Sequence, residues 1–198
     1  MADILQPSFW DDEEGELYDA LDELLIVALM DGIDGGTSAL PANYRVLVDF
    51  DRVNQNALRY ATDYRYRWIK GINDTTRTQT QQAIADWIRE GTPLSALEAK
   101  LESIYGKARA ERIATTEVTR VYAIGNQAAF EATEIVDSVI WQTVNDGDVC
   151  PICDELDDTE IGIGDIDAMP PAHVGCRCFA LPHVSEELVS EKIDRILS

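Results

Sequence analysis

The residues of this 198-residue chain best equipped for chemistry are four cysteines and a histidine in its last third. Cys150 and Cys153 form a Cys-x-x-Cys pair, and His173, Cys176 and Cys178 follow as a second group. Thiolate sulfur and imidazole nitrogen are the ligands that zinc takes in tetrahedral structural sites. A turn between two such cysteines lets both sulfurs reach one ion. We therefore predict a structural zinc site built from these five residues.

Five donors exceed the four that structural zinc needs, so the ligand set stays open. One set is Cys150, Cys153, His173 and Cys176, and an all-cysteine set uses Cys178 in place of the histidine. Reduced structural thiols and disulfides are the alternatives to a metal. Disulfides are the least favoured of the three, because the sequence shows no secretory signal that would lead to an oxidising compartment.

Residues near the cysteines have structural interpretations. Trp141 is expected to anchor the core by packing a strand on a long helix, and Asp146 to cap the turn that follows it. Glu117 and Arg120 are three residues apart, which predicts an ion pair along a helix. The alternative for this pair is binding to a partner or to the turn around Asp146. His183 has no neighbours that suggest a ligand role.

The cysteine region resembles the C-terminal pattern of the Mu F-like head morphogenesis, or minor head, proteins of tailed bacteriophages. That pattern reads W-x-T-x-x-D-x-x-V-C-P-x-C, then a Leu-Asp step, then P-P-x-H-x-x-C-R-C. The positions that fall on it are Trp141, Thr143, Asp146, Val149, Cys150, Pro151, Cys153, Leu156, Asp157, Pro170, Pro171, His173, Cys176, Arg177 and Cys178.

The preceding segment is also similar to the family. Ile113 to Glu117, with Arg120 and Gly125, resembles its I-A-R-T-E-x-x-R stretch. Thr115 replaces the usual arginine and Ala123 an often-seen asparagine, so the polar contacts those residues make in relatives are not carried over. The resemblance covers the chain from about residue 107 to about residue 182 and does not extend to the N-terminal half.

The resemblance implies a structural minor head protein. Such a protein associates with the portal protein, other head proteins and the capsid interior during head assembly and DNA packaging or ejection. It would be found in the interior of the virion head, and in the host cytoplasm during assembly. Two alternatives are a stand-alone Mu F-like binding or trafficking module of a toxin system, and a metal-dependent nuclease or ADP-ribosyl-transfer enzyme.

The net charge of −21 is unevenly spread along the chain. Residues 1–44 hold eleven acidic and no Lys or Arg residues, residues 45–120 hold ten acidic and thirteen basic, and residues 121–198 hold sixteen acidic and three basic. An acidic protein repels bulk nucleic acid and anionic membranes and favours basic protein surfaces. We expect the acidic ends to dock on other virion proteins and the mildly basic middle to lie nearest packaged DNA.

Several functional classes are excluded by what the chain lacks. It carries no phosphate-binding loop, dinucleotide fingerprint or nucleophile elbow, and its two histidines leave little room for acid and base chemistry. The apolar run Leu24–Met30 is far shorter than the roughly 20 residues of a membrane span. We therefore predict no enzyme, no catalytic or cofactor-binding residues, no membrane contact and no small-molecule substrate.

Hydrophobic periodicity predicts a mainly α fold: a helical bundle with a small C-terminal β/loop module that carries the Cys/His cluster. Predicted helices cover residues 11–33, 49–72, 74–90, a stretch starting at Thr92 and Pro93, and 107–133. Gly32 is expected near the end of the first helix, and residues 34–41 form a predicted linker. Arginines and aromatic residues mix between Arg59 and Lys70, as on nucleic-acid surfaces, although burial of the rings on one helix side is the favoured interpretation.

Alternating β-rich residues predict a strand from Val136 to Val144, with Cys178–Pro182 as its partner and residues 154–170 looping out between them. The acidic residues of that loop are interpreted as a solvated surface. An amphipathic helix is predicted over residues 185–197. The predicted segments are an acidic helix and linker (1–44), a helical domain (45–134), the cysteine-rich module (135–183) and the C-terminal helix (184–198).

Overall fold

The computed structural model describes residues 27–57, 74–76, 78–79, 82–83, 86 and 94–198. This part is mostly helical, with a small three-stranded sheet near the C-terminal end, so the predicted fold class is confirmed. The chain divides into two compact units. One comprises Met1–Glu23 and Thr62–Ala114, and the other Leu24–Ala61 and Thr115–Ser198.

Helices and strands follow one another in a simple order. The helical segments are α1 (27–39), α2 (50–57), α3 (Leu94–Tyr105), α4 (Lys107–Thr133), α5 (Pro151–Leu156) and α6 (Glu186–Leu197). The strands are β1 (Val136–Gln142), β2 (Glu160–Gly162) and β3 (Phe179–Val184). Short 3-10 turns cover Arg45–Leu47 and Ile166–Ala168. No described helix has the length and apolar character needed to cross a membrane.

In the unit that contains α3, a small apolar cluster joins Leu101 to Ala83 and Ile104. The guanidinium of Arg109 donates a hydrogen bond to the hydroxyl of Thr76 at 2.7 Å. The described residues between 74 and 86 are helical, in agreement with the predicted helix. Leu101 therefore faces the inside of this unit.

The other unit is built around residues 115–133 of α4, and the limits of α4 match the predicted helix. Its core brings together side chains from α1, α2, α4, β1, β3 and α6. The members of this core include Leu40, Val53, Ala57, Ala123, Ala128, Phe130, Ile135, Val136, Val139, Ala180 and Val189. Small residues of α4, such as Ala123 and Ala128, therefore lie where helices meet.

Glycines hold α1 and α4 close together. A Cβ on Gly125 would lie 2.5 Å from the carbonyl oxygen of Leu29, and one on Gly32 would lie 2.3 Å from the carbonyl oxygen of Tyr122. A Cβ on Gly36 would likewise lie 2.7 Å from the Cα of Asn126. Two helix backbones in contact leave no room for side chains, which explains the glycines.

The predictions of a helix end near Gly32 and of a linker over residues 34–41 are therefore wrong. The helix continues through residue 39. Glycine lowers helix propensity by about 1 kcal/mol relative to alanine. Contact with α4 offsets that loss, and the glycines serve the helix crossing instead of ending the helix.

The sheet has the order β2-β1-β3, and both neighbours run antiparallel to the central strand. Ile140 lies between Glu160 on one side and Leu181 on the other. The predicted pairing of β1 with the segment after the second cysteine group is confirmed. The predicted loop over residues 154–170 is wrong, because it contains β2 and the end of α5. A three-residue strand is too short to show alternation in the sequence.

Glu134 ties three helices together where α4 ends. Its carboxylate forms an ion pair with Arg52 of α2 and lies 2.8 Å from Arg195 and 3.5 Å from Lys192 of α6. The hydrogen bond from Arg52 is the main reason that the pKa of Glu134 lies below its usual value. Ser185 caps α6 by accepting a hydrogen bond from the Leu188 amide at 3.4 Å, which confirms the predicted start of this helix.

Some predictions concern residues outside the described part of the chain. These are the helix over residues 11–26, the continuation of α2 through residues 58–72, and the mixed basic and aromatic surface between Arg59 and Lys70. Thr92 and Pro93, the predicted start of α3, also lie outside it. The beginning of α2 is described and agrees with the prediction, since Asp49 accepts hydrogen bonds from the amides of Asp51 and Arg52 at 3.1 and 3.2 Å.

Candidate metal centre

The first pair of cysteines is positioned by the start of α5. Cys150 is the N-cap residue, and its sulfur accepts a hydrogen bond from the Cys153 amide at 3.4 Å. Pro151 occupies the first turn, where its missing amide proton is not needed. One turn of helix therefore brings the two sulfurs to the same side.

A tight turn positions the second group. The Cys176 amide donates to the carbonyl oxygen of His173 at 3.1 Å, and Gly175 has a φ of 80°. That left-handed backbone favours glycine over residues with a Cβ. The chain then enters β3 directly, so the sheet carries this turn back to the first pair.

The structure brings the five predicted donors together in two overlapping triads. His173 Nε2 lies 3.1 Å from Cys150 Sγ and 3.0 Å from Cys153 Sγ, and Cys153 Sγ lies 3.7 Å from Cys176 Sγ. One triad is Cys150, Cys153 and His173, and the other is Cys153, Cys176 and Cys178. Cys153 belongs to both. The donor atoms of each triad lie within 4.8 Å of one another.

One of these distances matches that expected across a tetrahedral ion. Two thiolates bound at about 2.3 Å to a tetrahedral zinc lie about 3.8 Å apart, close to the separation between Cys153 and Cys176. The orientation of His173 fits as well. Its Nδ1–H donates to the carbonyl oxygen of Val174 at 2.9 Å, which leaves Nε2 facing the sulfurs with its lone pair. The cluster can therefore hold a metal ion.

The four cysteines are free thiols in the structure, and their environments differ. The amide of Cys153 lowers the pKa of Cys150. Burial raises the pKa of Cys153, and the neighbouring thiols raise it further. Burial also raises the pKa of Cys178. A metal ion that binds here must displace protons from the buried thiols, so binding is coupled to proton release.

Trp141 is buried, as predicted, with 1% of its surface exposed. It packs in one cluster with Cys153, Cys176 and Cys178, a contact that the sequence did not predict. Val136 and Val139 of β1 belong to the main core, together with residues of α4. The indole N–H approaches Cys178 without reaching hydrogen-bond geometry. Trp141 therefore provides an apolar surface on the buried side of the candidate metal centre.

Two threonines of α4 hold the second group of donors. The Gly175 amide donates to the hydroxyl of Thr116 at 2.8 Å, and the hydroxyl of Thr119 donates to the carbonyl oxygen of Cys176 at 2.9 Å. These roles were not predicted. The one sequence feature that could have indicated the role of Thr116 is its place in the segment that resembles the family. A threonine in a helix, however, usually forms its hydrogen bond within its own helix.

Asp146 caps its turn as predicted and also pairs across the centre. It accepts a hydrogen bond from the Asp148 amide at 3.1 Å and forms an ion pair with Arg177 through two guanidinium nitrogens. The hydrogen bond from Arg177 is the main reason that the pKa of Asp146 is lowered. Arg177, which lies between Cys176 and Cys178, thus fixes the turn that precedes Cys150 and Cys153.

Glu117 and Arg120 form the predicted ion pair along α4, with Nε and Oε2 3.3 Å apart. Glu117 is buried, and burial raises the pKa of its carboxyl group although the charge of Arg120 lowers it. The pair is a contact within the helix. The arginine that binds the turn around Asp146 is Arg177.

A small open cavity of about 50 Å³ borders the centre. Its lining includes Val144, Asp146, Cys150, His173, Cys176 and Arg177. Cys150 and His173 are half-buried, whereas Cys153, Cys176 and Cys178 are buried. The candidate metal centre therefore has one side near solvent and one side against Trp141.

Comparison with protein families gave one finding. Residues 78–181 match the family described as Phage Mu protein F like protein. The matched part is more than half of the chain and contains α4, the sheet as far as Leu181, and all five donors. The curated proteins and the solved structures that were compared gave no match.

Proposed function

Because the chain belongs to the family of Phage Mu protein F like proteins, we propose that this phage head-related protein is a structural minor head protein of a tailed bacteriophage. The observation that carries the proposal is the family match, which spans both the helix α4 and the cysteine module. The proposed partners are the portal protein and other head proteins. The proposed location is the interior of the virion head.

In this proposal the cysteine module is stabilised by one zinc ion. The ligands are Cys150, Cys153, His173 and Cys176, because His173 Nε2 faces two sulfurs and Cys176 lies 3.7 Å from Cys153. Bound zinc supplies a structural cross-link and no reaction. Cys178 remains a buried thiol beside Trp141. The module is small and rich in loops, so a cross-link between its two halves contributes to folding.

The chain is proposed to have no enzymatic activity. In this proposal the contact of Cys150 with His173, at 3.1 Å, serves to share a metal ion and not to activate a nucleophile. All five donors are accounted for by binding an ion and packing around it. The strongly acidic composition supports contact with basic proteins during assembly.

The test is to quantify this polypeptide by mass spectrometry in purified proheads and in mature particles, relative to the portal protein. A low and fixed ratio in both is the expected result. Its presence in proheads alone would limit the role to assembly. Its absence from both particles would overturn the proposal. An extract prepared from the same infected cells serves as a control that the polypeptide was made.

A further inference from the structure

We propose that the tips of the cysteine module form a docking surface for a basic, partly apolar surface of another head protein. The tips are Val144, Ile152 and Val174. This inference rests on the proposed function, since it names the chemistry of the partner that the module meets during head assembly.

The first observation is exposure. Val144 is 41% exposed, Ile152 56% and Val174 67%. An isolated exposed apolar residue is ordinary on a protein surface. Here the three residues belong to three separate chain segments that meet at the candidate metal centre.

The second observation is how these segments meet. Ile152 lies between Cys150 and Cys153, and Val174 lies between His173 and Cys176. Val144 lines the cavity that the donors border. His173 Nε2 is 3.1 Å from Cys150 Sγ, so the two turns that carry Ile152 and Val174 are fixed against each other. The three segments that carry the apolar tips thus meet at the donors.

The third observation is charge. Residues 135–184 contain ten Asp and Glu residues, and Arg177 is their only Arg or Lys. Arg177 is already paired with Asp146. Exposed acids lie within four residues of a tip in the sequence, including Asp148, Asp154 and Glu155. Ten acidic residues against one basic residue leave the module with a net negative charge, so the surface favours a partner with Lys or Arg around an apolar centre and disfavours DNA.

The experiment adds purified protein to proheads assembled by a phage that lacks this chain, and measures its incorporation by mass spectrometry. The test variant carries Val144→Ser, Ile152→Ser and Val174→Ser. The matched control carries Ile193→Ser, Ile196→Ser and Leu197→Ser, three exposed apolar residues of α6. Circular dichroism and thermal unfolding show whether both variants keep the fold.

We expect the test variant to be incorporated about tenfold less than the wild-type chain, because three substitutions to serine remove apolar surface that the partner would bury. The control should be incorporated like the wild type. A folded test variant that incorporates normally would overturn the inference, as would equal loss in the α6 variant. Wild-type protein that does not enter proheads would overturn the proposed function, and with it the partner named here.

A second variant tests the charge of the partner. Asp148→Asn, Asp154→Asn and Glu155→Gln remove three negative charges without changing the apolar tips. Incorporation should slow, and the loss of incorporation with rising salt should become weaker than for the wild type. If the neutralised protein is incorporated at the same rate with the same salt dependence, the partner surface is not basic and the inference fails.

Discussion

Two guanidinium nitrogens of Arg177 donate hydrogen bonds to the two carboxylate oxygens of Asp146. This ion pair links the second group of donors to the turn before the first group. Arg177 lies between Cys176 and Cys178, and Asp146 lies four residues before Cys150. Fork-shaped pairing of a guanidinium with a carboxylate also fixes orientation. The ion pair therefore aligns the two halves of the candidate metal centre.

Removing this ion pair should change the response of the protein to acid. The pKa of Asp146 is lowered in the folded state, so its contribution to stability is present above the usual Asp pKa, about 3.9, and is lost as the pH falls through the folded value. Arg177→Ala should thus lower the thermal midpoint at pH 7, with a difference from wild type that shrinks as the pH falls below about 4. A difference that stays constant down to pH 2 would contradict this role.

Metal binding should depend most on Cys153, which belongs to both triads. Cys153→Ser and His173→Ala should each abolish zinc binding, whereas Cys178→Ser should retain about one zinc per chain. Elemental analysis of the reduced, purified proteins measures this content. Zinc retained by His173→Ala and lost from Cys178→Ser would establish the all-cysteine ligand set instead.

Chelation of the metal should destabilise the wild-type protein. At a free zinc concentration about 1,000 times the dissociation constant, binding contributes about 4 kcal/mol. For a chain of this size, this corresponds to a fall of about 10 °C in the thermal midpoint. Calorimetry with and without a chelator checks the prediction, and Cys153→Ser serves as the control that should not respond.

The contact between α1 and α4 should not tolerate a methyl group at Gly125. A Cβ there meets the backbone of Leu29 and Ile33, which cannot move independently. Gly125→Ala should reduce the free energy of unfolding by about 2–3 kcal/mol. Gly164 is the matched control, because a Cβ there has no atom within 4 Å, and Gly164→Ala should change stability by less than about 0.5 kcal/mol. Equal effects in urea unfolding would contradict the close contact.

Substitution of Arg120 and substitution of Glu117, which form an ion pair along α4, should reduce stability by unequal amounts. Arg120→Ala leaves the buried carboxylate of Glu117 without its paired charge and should destabilise the protein by about 2 kcal/mol at pH 7. Glu117→Gln should cost less. Because the pKa of Glu117 is raised in the folded state, the Arg120→Ala protein should regain stability as the pH falls through that value. A loss that does not shrink as the pH is lowered from 7 would contradict this account.

The sequence predicted long periodic elements and the donor set, because both signals are local. Apolar and small residues recur at helical spacing from Ile113 to Ala132, and this pattern defines α4 without knowledge of its neighbours. The spacing of the cysteines likewise predicted the donors that the structure brings together. Gly32 was misassigned because glycine ends helices and also permits close crossings. Only the position of Gly125 on the opposite helix distinguishes these two uses.

Features that depend on a distant partner were missed. Glu160–Gly162 becomes a strand because β1 lies beside it, and one apolar residue in three gives no alternation. Thr116 and Thr119 hold the second group of donors through backbone atoms more than fifty residues away in the chain. A threonine in a helix gives no sign of such a contact before the fold is known.

The separation of the two donor groups also sets an order of events during synthesis. His173 follows Cys153 by 20 residues. Translation at about 5–20 residues per second therefore leaves the first pair of thiols on the nascent chain for about 1 to 4 seconds before the histidine is added. During that interval a metal ion would find only two protein ligands. The ribosome must complete the second group before the module can close.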